Sequence, residues 1–289
     1  MMRYDEPAWG PAMPFAPKLP AHGAEIPAIG FGTSGLGDVR AEHIATALKA
    51  GYRHIDTARK YGTERVVGEG MRASGVPRQD VFLCTKVSHE NLHAGDFARS
   101  VDDSLSALGV DYVDLLLVHW PEKNTPLKET MSALAKAKRA GLARHIGVAN
   151  FNIAMLDEAI RLCPEPLVTL QVECHPYLDQ TKVIEACRRR GVVLTAYCPL
   201  GRGRLQGDAV LADIAQRTGK TFAQVALRWL MQQGVIAAIP RSSNAARIAQ
   251  NIDVFDFELS DDDMRRIGAL KRADGRIANP VGRAPKWDA

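Results

Sequence analysis

The chain has 289 residues and a mass of 31.5 kDa, of which 46% are hydrophobic and 24% charged; this excludes a disordered, fibrous or coiled-coil protein. Its 37 Lys and Arg against 33 Asp and Glu leave a net charge of +4 spread along the sequence, without the basic stripe that a nucleic-acid footprint requires. Five cysteines (Cys84, Cys163, Cys174, Cys187 and Cys198), an odd number with no C-x-x-C pair, argue against a disulfide framework or a four-thiolate zinc site. They suit a reducing cytoplasm; secretion is not expected, since no basic region followed by an apolar stretch opens the sequence, and no apolar run approaches the ~20 residues needed to span a bilayer.

Residues 1–20 carry Pro7, Pro11, Pro14, Pro17 and Pro20, which predict an extended arm without regular structure, followed by one domain over 21–289. Short β-branched runs then alternate with amphipathic stretches. In chain order the expectation is strand 28–33, helix 40–50, strand 52–57, helix 63–74, strand 81–86, helix 95–108, strand 113–119 and helix 127–140. Strand 144–149, helix 153–162, strand 168–173, helix 181–190, strand 192–197, helices 209–218 and 222–233, strand 235–240 and helix 245–251 follow. Gly51, Gly75, Gly109, Gly141, Gly191 and Gly234 punctuate the pattern as helix terminators. Strands apolar on both faces and joined by helices are parallel, and eight such units fit a single (β/α)8 barrel with extra helices.

Two motifs invite other readings. Gly30-Phe31-Gly32-Thr33-Ser34-Gly35 matches G-x-G-x-x-G, with Asp56 placed downstream as in a dinucleotide fingerprint. Leu36-Gly37-Asp38 nevertheless separate it from the next helix, for which Asp38 is the expected N-cap, and eight strands overfill a six-stranded sheet. Glycines easing the chain across a barrel explain the run better. His89-Glu90-Asn91-Leu92-His93 satisfies the H-E-x-x-H zinc-hydrolase pattern, but it follows a strand as a polar loop and reaches Gly95 too soon for a rigid helix to present both rings. No metal is expected.

Asp56, Lys86 and His119 end three consecutive predicted strands, with Tyr61 in the loop after the first of them. In a barrel those ends carry the active site. A lysine and an aspartate at the inward ends of apolar strands are costly unless paired, so the two are expected to face each other. A positive Lys86 beside Tyr61 is expected to draw the phenol's pKa down from about 10 toward the range of a general acid, with His119 donating to a substrate carbonyl. The set has no nucleophile with its base, no metal cage and no paired carboxylates; proton delivery to a polarised carbonyl is what it suits, with the hydride coming from elsewhere.

Gly51-Tyr52-Arg53-His54-Ile55-Asp56-Thr57-Ala58 with Tyr61 and Glu64, then Thr85-Lys86, then His119-Trp120-Pro121, resemble in order the Asp, Tyr, Lys and His tetrad of the aldo-keto reductase family. The resemblance covers nearly all of residues 24–288. It implies NADPH-dependent reduction of aldehydes and ketones, with Tyr61 as proton donor, Lys86 and Asp56 setting its acidity, and His119 orienting the carbonyl. Gly147-Val148-Ala149-Asn150-Phe151 is similar to the family's G-V-S-N-F and implies that Asn150 and Gln171 hold the carboxamide, although Ala149 replaces the usual serine. Tyr197 resembles the tyrosine that stacks on nicotinamide, and Thr33, Pro199, Leu200 and Gly201 are further implied cofactor contacts.

Ile239-Pro240-Arg241-Ser242-Ser243-Asn244, with Arg247, Gln250 and Asn251, is similar to the family's segment for the adenosine 2′-phosphate. Two guanidiniums, two hydroxyls and a helix N-terminus suit a dianion there, which favours NADPH over NADH. Gln250 stands where the family has a glutamate that contacts adenine. Ser34, Ser88 and Trp120 occupy the positions of the substrate pocket, and the two serines give a roomy, polar mouth. The segments 74–78 and 276–288 resemble bacterial members of the family that act on 2,5-diketo-D-gluconate and methylglyoxal. A monomer acting on small carbonyl compounds, without nucleic acid or membrane as partner, is expected. The alternative within the family is a barrel that binds NADPH to regulate a partner without turnover.

Overall fold

The computed structural model describes residues 16–35 and 39–288. Eight parallel strands form in chain order: β3 (Phe31–Gly32), β4 (His54–Asp56), β5 (Phe82–Val87), β6 (Val113–Val118), β7 (Ala143–Ala149), β8 (Leu167–Glu173), β9 (Val193–Tyr197) and β10 (Ile236–Ala238). β3 is shorter than the expected 28–33 because residues 28–30 close the barrel instead. Ile29 bridges Ala238 in parallel, the Ala238 N–H donates to Ala28 O at 2.9 Å, and the Gly30 N–H donates to Ala238 O at 2.8 Å. Strand β6 is buried along its whole length, as an apolar run between two helix-covered faces must be.

The helices lie where the apolar periodicity put them: α1 (Ala41–Lys49), α2 (Glu64–Ser74), α3 (Ala94–Leu108), α4 (Leu127–Arg139), α5 (Ile153–Leu162), α6 (Thr181–Arg190), α7 (Ala209–Thr218), α8 (Phe222–Met231) and α9 (Ala245–Ile252). Gly109 and Gly191 end α3 and α6 at φ 69° and 64°, a conformation that costs a residue with a Cβ about 1–2 kcal/mol. A tenth helix, α10 (Asp261–Gly268), was not expected from periodicity; Ser260 and Asp263 cap it reciprocally. No helix among the described residues is long and apolar enough to cross a membrane.

Two expectations need correction. Residues 1–15 of the arm lie outside the described residues, but the arm's end is regular: β1 (Lys18–Ala21) pairs antiparallel with β2 (Ala24–Pro27), with Leu19, Ala21, Ala24 and Ile26 buried. Pro20 is tolerated because every second N–H of a two-stranded ribbon points away from its partner. The turn of this hairpin sends His22 to the Arg190 carbonyl at the end of α6, which places the hairpin where the barrel strands begin. The second correction concerns α1, which is capped at Arg40; Asp38 lies outside the described residues. The glycines ahead of α1 serve packing. A Cβ on Gly30 would sit 2.7 Å from the His54 ring, and one on Gly32 would sit 2.8 Å from Ile239 O.

Candidate active site

The strand register puts the chemistry at one rim. Asp56 ends β4 opposite Cys84 of β5, so Lys86 stands two residues further along β5 on the same face. His119 follows β6 and is held in line by its N–H donating to Val87 O at 3.0 Å. Tyr61 closes a single 3-10 turn, Arg59–Tyr61, after β4. These four side chains converge. The fully buried Lys86 Nζ donates to Asp56 Oδ1 at 2.6 Å and to Thr57 O at 2.7 Å, and lies 5.3 Å from the Tyr61 ring centre. The Tyr61 and His119 rings meet edge to face at 5.5 Å. Gln171 Nε2 donates to Asp56 Oδ2 at 2.8 Å, so the carboxylate is bonded on both oxygens.

Burial would drive the proton off Lys86, but Asp56, with smaller help from Tyr61, outweighs it and keeps the ammonium charged. The expected fall in the Tyr61 pKa does not occur. Burial raises it above the ordinary 10.0, Asp56 adds to the rise, and Lys86 together with a hydrogen bond from Ser34 offsets only part of it. Lys86 acts on the phenol as half of a neutralised pair, so its pull is weaker than that of a lone cation. The phenol therefore rests protonated. Burial first, then the charges of Lys86 and Arg283, push His119 down to about 3, leaving a neutral imidazole with one N–H to donate.

The residues expected around a nicotinamide sit at the adjoining strand ends. Tyr197, at the end of β9, donates its hydroxyl to Asn150 Oδ1 at 2.7 Å, and Asn150 Nδ2 donates to His119 O at 2.8 Å. Asn150 holds φ 62°, a left-handed conformation that asparagine tolerates better than most residues and that turns its amide toward this rim. Thr33 is buried, with its hydroxyl donating to Asp56 O at 3.0 Å. Pro199, Leu200 and Gly201 follow β9. Beyond β10, Arg241 is half-buried with its guanidinium against Gly35, where a Cβ would lie 2.7 Å from Cζ. Ser243, Asn244 and Arg247 are exposed at the N-terminus of α9, where Asn244 caps the helix by accepting from Arg247 N at 3.0 Å. Ser242 is half-buried, Gln250 exposed and Asn251 buried. Two guanidiniums, two hydroxyls and a helix N-terminus at one strand end form a donor set chemically fit for a phosphate dianion.

At the mouth, Ser34 is exposed, Ser88 is buried with its hydroxyl on Glu90 Oε2 at 3.0 Å, and Trp120 is buried. The H-E-x-x-H run does not form a metal-binding face. His89 and Glu90 belong to a 3-10 turn, while His93 is the cap of α3 beside Glu129. Glu90 is bound by Lys60 at 2.7 and 2.9 Å.

Pattern reasoning missed the C-terminal strap. Glu173, fully buried at the end of β8, accepts from the Ile277 and Ala278 N–H groups at 2.7 Å each and contacts His175 at 2.9 Å. Burial pushes its carboxyl up, but these donors outweigh burial and hold it below the usual 4.5. Further on, Asn152 Nδ2 donates to Lys286 O at 2.9 Å and Ile153 N to Asp288 Oδ2 at 2.8 Å. Trp287 thereby lies edge-on to Trp120 at 6.3 Å, and the strap forms a second wall of the mouth. The Glu173 contacts span 104 and 105 residues, so no local pattern announces them.

The aldo/keto reductase family model matches residues 28–272. Methylglyoxal reductase DkgB of Escherichia coli O157:H7 is 40% identical over 267 residues, covering 91% of this chain and 99% of that protein. A crystal structure provisionally described as a 2,5-diketo-D-gluconic acid reductase B superposes with a TM-score of 0.92 at 46% identity, over 96% of this chain and 99% of its own. An aldo-keto reductase of Bombyx mori in complex with NADP gives a TM-score of 0.86 at 31% identity, over 92% and 96%. Matched along most of its length by the family model, and by relatives that share its eight-stranded barrel, this chain belongs to the aldo/keto reductase family.

Proposed function

We propose that the protein is an NADPH-dependent reductase of aldehydes and ketones with Tyr61 as proton donor. The observation that carries this reading is the buried Lys86–Asp56 pair set beside a protonated phenol and a neutral imidazole at the rim of the barrel. NADPH, when bound, supplies hydride from nicotinamide C4 to the carbonyl carbon. The chain's own groups do the rest. The His119 N–H orients the carbonyl oxygen, and the Tyr61 hydroxyl delivers its proton there as negative charge develops. Lys86 meets the phenolate that this leaves, an attraction realised only as the proton departs, in a site where little water screens it. Asp56, fixed by Gln171, keeps Lys86 charged and aimed. Tyr197, Asn150, Gln171, Thr33 and residues 199–201 would hold the nicotinamide half; Arg241, Ser242, Ser243, Asn244 and Arg247 would hold the 2′-phosphate, with Gln250 and Asn251 by the adenine.

The names of the Escherichia coli relative and of the superposed reductase support small dicarbonyls such as methylglyoxal, or keto sugar acids such as 2,5-diketo-D-gluconate, as substrates. Loss of NADPH absorbance with a panel of such compounds tests this. Single-turnover oxidation of bound NADPH by methylglyoxal separates a reductase from a barrel that only senses the cofactor. Arg241→Ala should raise the KM for NADPH about tenfold and leave that for NADH nearly unchanged, since only NADPH carries the phosphate a guanidinium can fork. Equal losses would show that Arg241 does not read it.

The pH dependence follows from the two shifts. His119 charges only below about 3 and Tyr61 ionises only above 10.0, so between about pH 5 and pH 9 neither titrates. The expected kcat profile is flat across that window, with an alkaline limb only. A limb near 6.5 that vanishes in His119→Gln would contradict the neutral imidazole.

A further inference from the structure

Tyr61 sits on a loop whose two ends are fastened to consecutive residues of β5. Lys86 faces into the barrel and holds the first end, its ammonium donating to Thr57 O at 2.7 Å and to Asp56 Oδ1 at 2.6 Å. Thr85, one residue earlier and therefore on the other face of the strand, holds the second end: its hydroxyl donates to Glu64 Oε1 at 2.6 Å. Glu64 is the first residue of α2, just beyond the 3-10 turn that Tyr61 closes. Between the two fastenings the Thr57 and Thr63 hydroxyls meet at 3.2 Å and draw the loop's ends together. The other Glu64 oxygen lies 3.8 Å from the guanidinium of Arg59, which opens the Tyr61 turn and donates to Asp103 Oδ2 of α3 at 2.9 Å. Glu64 is 3% exposed and Thr85 1%. Stability alone gives little reason for a carboxylate there, since a buried ionic contact contributes no more than an apolar residue of similar volume.

We propose that Glu64 is a positioning residue for the proton donor, setting the reach of Tyr61 over Lys86 through its bond to Thr85 and its attraction for Arg59. The inference rests on the carbonyl-reductase reading and adds a residue that touches neither substrate nor cofactor. Tyr61 and Lys86 come from different elements, and their 5.3 Å separation is the distance over which the ammonium meets the developing phenolate. With Thr85 and Lys86 adjacent on one strand, the loop is referenced at both ends to the residue that stabilises its product charge. Misplacing a reacting group by about 1 Å costs about 10²-fold in rate, so a brace of this kind acts on kcat. It has no direct contact through which to act on cofactor affinity.

The test uses the full-length protein with NADPH and either methylglyoxal or 4-carboxybenzaldehyde, whichever the wild type turns over faster. Glu64→Ala and Thr85→Val each remove the 2.6 Å bond and should each lower kcat about tenfold or more, with the Kd for NADPH changed less than about twofold and a larger solvent deuterium isotope effect on kcat. Glu64→Gln keeps an oxygen for Thr85 and Thr85→Ser keeps the hydroxyl, so both should stay within about threefold of wild type. The Glu64→Ala/Thr85→Val double variant should be no slower than the worse single one, because the two act as one unit. If Glu64→Ala does not fold, the contrast between Thr85→Val and Thr85→Ser decides alone. A kcat within threefold of wild type in Thr85→Val, an unchanged isotope effect, or a loss of NADPH affinity that parallels the loss of turnover would overturn the proposal and leave the reductase reading intact. Absence of turnover of both carbonyls by the wild type would instead overturn the reductase reading, and the proposal with it.

Discussion

Tyr61→Phe should lower kcat by about 10³-fold, within the 10²–10⁴ that a positioned proton donor contributes, while the Kd for NADPH moves less than about twofold. The substitution removes one oxygen and leaves the ring where it packs, edge-on to His119 at 5.5 Å and facing the Lys86 ammonium. The groups proposed to hold the cofactor lie just after β3, at the ends of β7 to β10 and along α9, and Tyr61 is not among them, so cofactor affinity has no reason to follow turnover. Fluorescence titration with NADPH and single-turnover kinetics separate the two. Turnover within tenfold of wild type would mean that another group, or water, supplies the proton. Loss of NADPH binding together with turnover would mean that Tyr61 holds the cofactor or the barrel rim.

The raised Tyr61 pKa changes what Lys86 has to do. A donor that rests as phenolate has no proton to give, so the protonated ground state is the useful one, and burial secures it. The ammonium matters later, when the phenol is losing its proton and a negative charge appears beside it in a site of low dielectric. Sequence reasoning placed both residues correctly and drew the wrong sign, because the sign depends on two magnitudes that no spacing reveals: the depth of burial and the share of the Lys86 charge already committed to Asp56.

The same distinction separates what was legible from what was not. The strands and most helices were readable because their signals are local: apolar runs at a period of two or 3.6, closed by glycines such as Gly109 and Gly191. The tetrad was readable because the chain alternates strand and helix, which stacks the ends of β4, β5 and β6 side by side. The β1–β2 hairpin was obscured by Pro17 and Pro20, whose exclusion from ladders holds for central strands and not for a ribbon. The Ser260 cap of α10 is a local signal, but apolar periodicity does not carry it, because the helix opens on Asp261, Asp262 and Asp263. The strap left no trace in the pattern, since Glu173 and Asp288 act on partners more than 100 residues away. The Gln171 bond to Asp56, across 115 residues, was equally silent, and it gives Gln171 a task besides the one expected toward a carboxamide.

Lys86→Met should be the most destabilising single change at the rim. The ammonium is fully buried and satisfies Asp56 Oδ1 at 2.6 Å and Thr57 O at 2.7 Å, so its removal leaves a buried carboxylate, still bonded by Gln171, without a counter-charge. Breaking a buried pair in this way costs about 3–5 kcal/mol, whereas removing both charges together costs much less, because no uncompensated ion remains. Chemical denaturation of Lys86→Met and of Asp56→Asn/Lys86→Met should therefore show the double variant to be more stable than the single one by about 2 kcal/mol. Activity should separate from stability in the same pair: both variants lose the charge that meets the departing proton, and both should fall by about 10²-fold or more in kcat. A single variant as stable as wild type would show that the pair contributes nothing to the fold. A double variant that regained turnover along with its stability would show that Lys86 serves the rim as a strut and plays no electrostatic part in proton transfer.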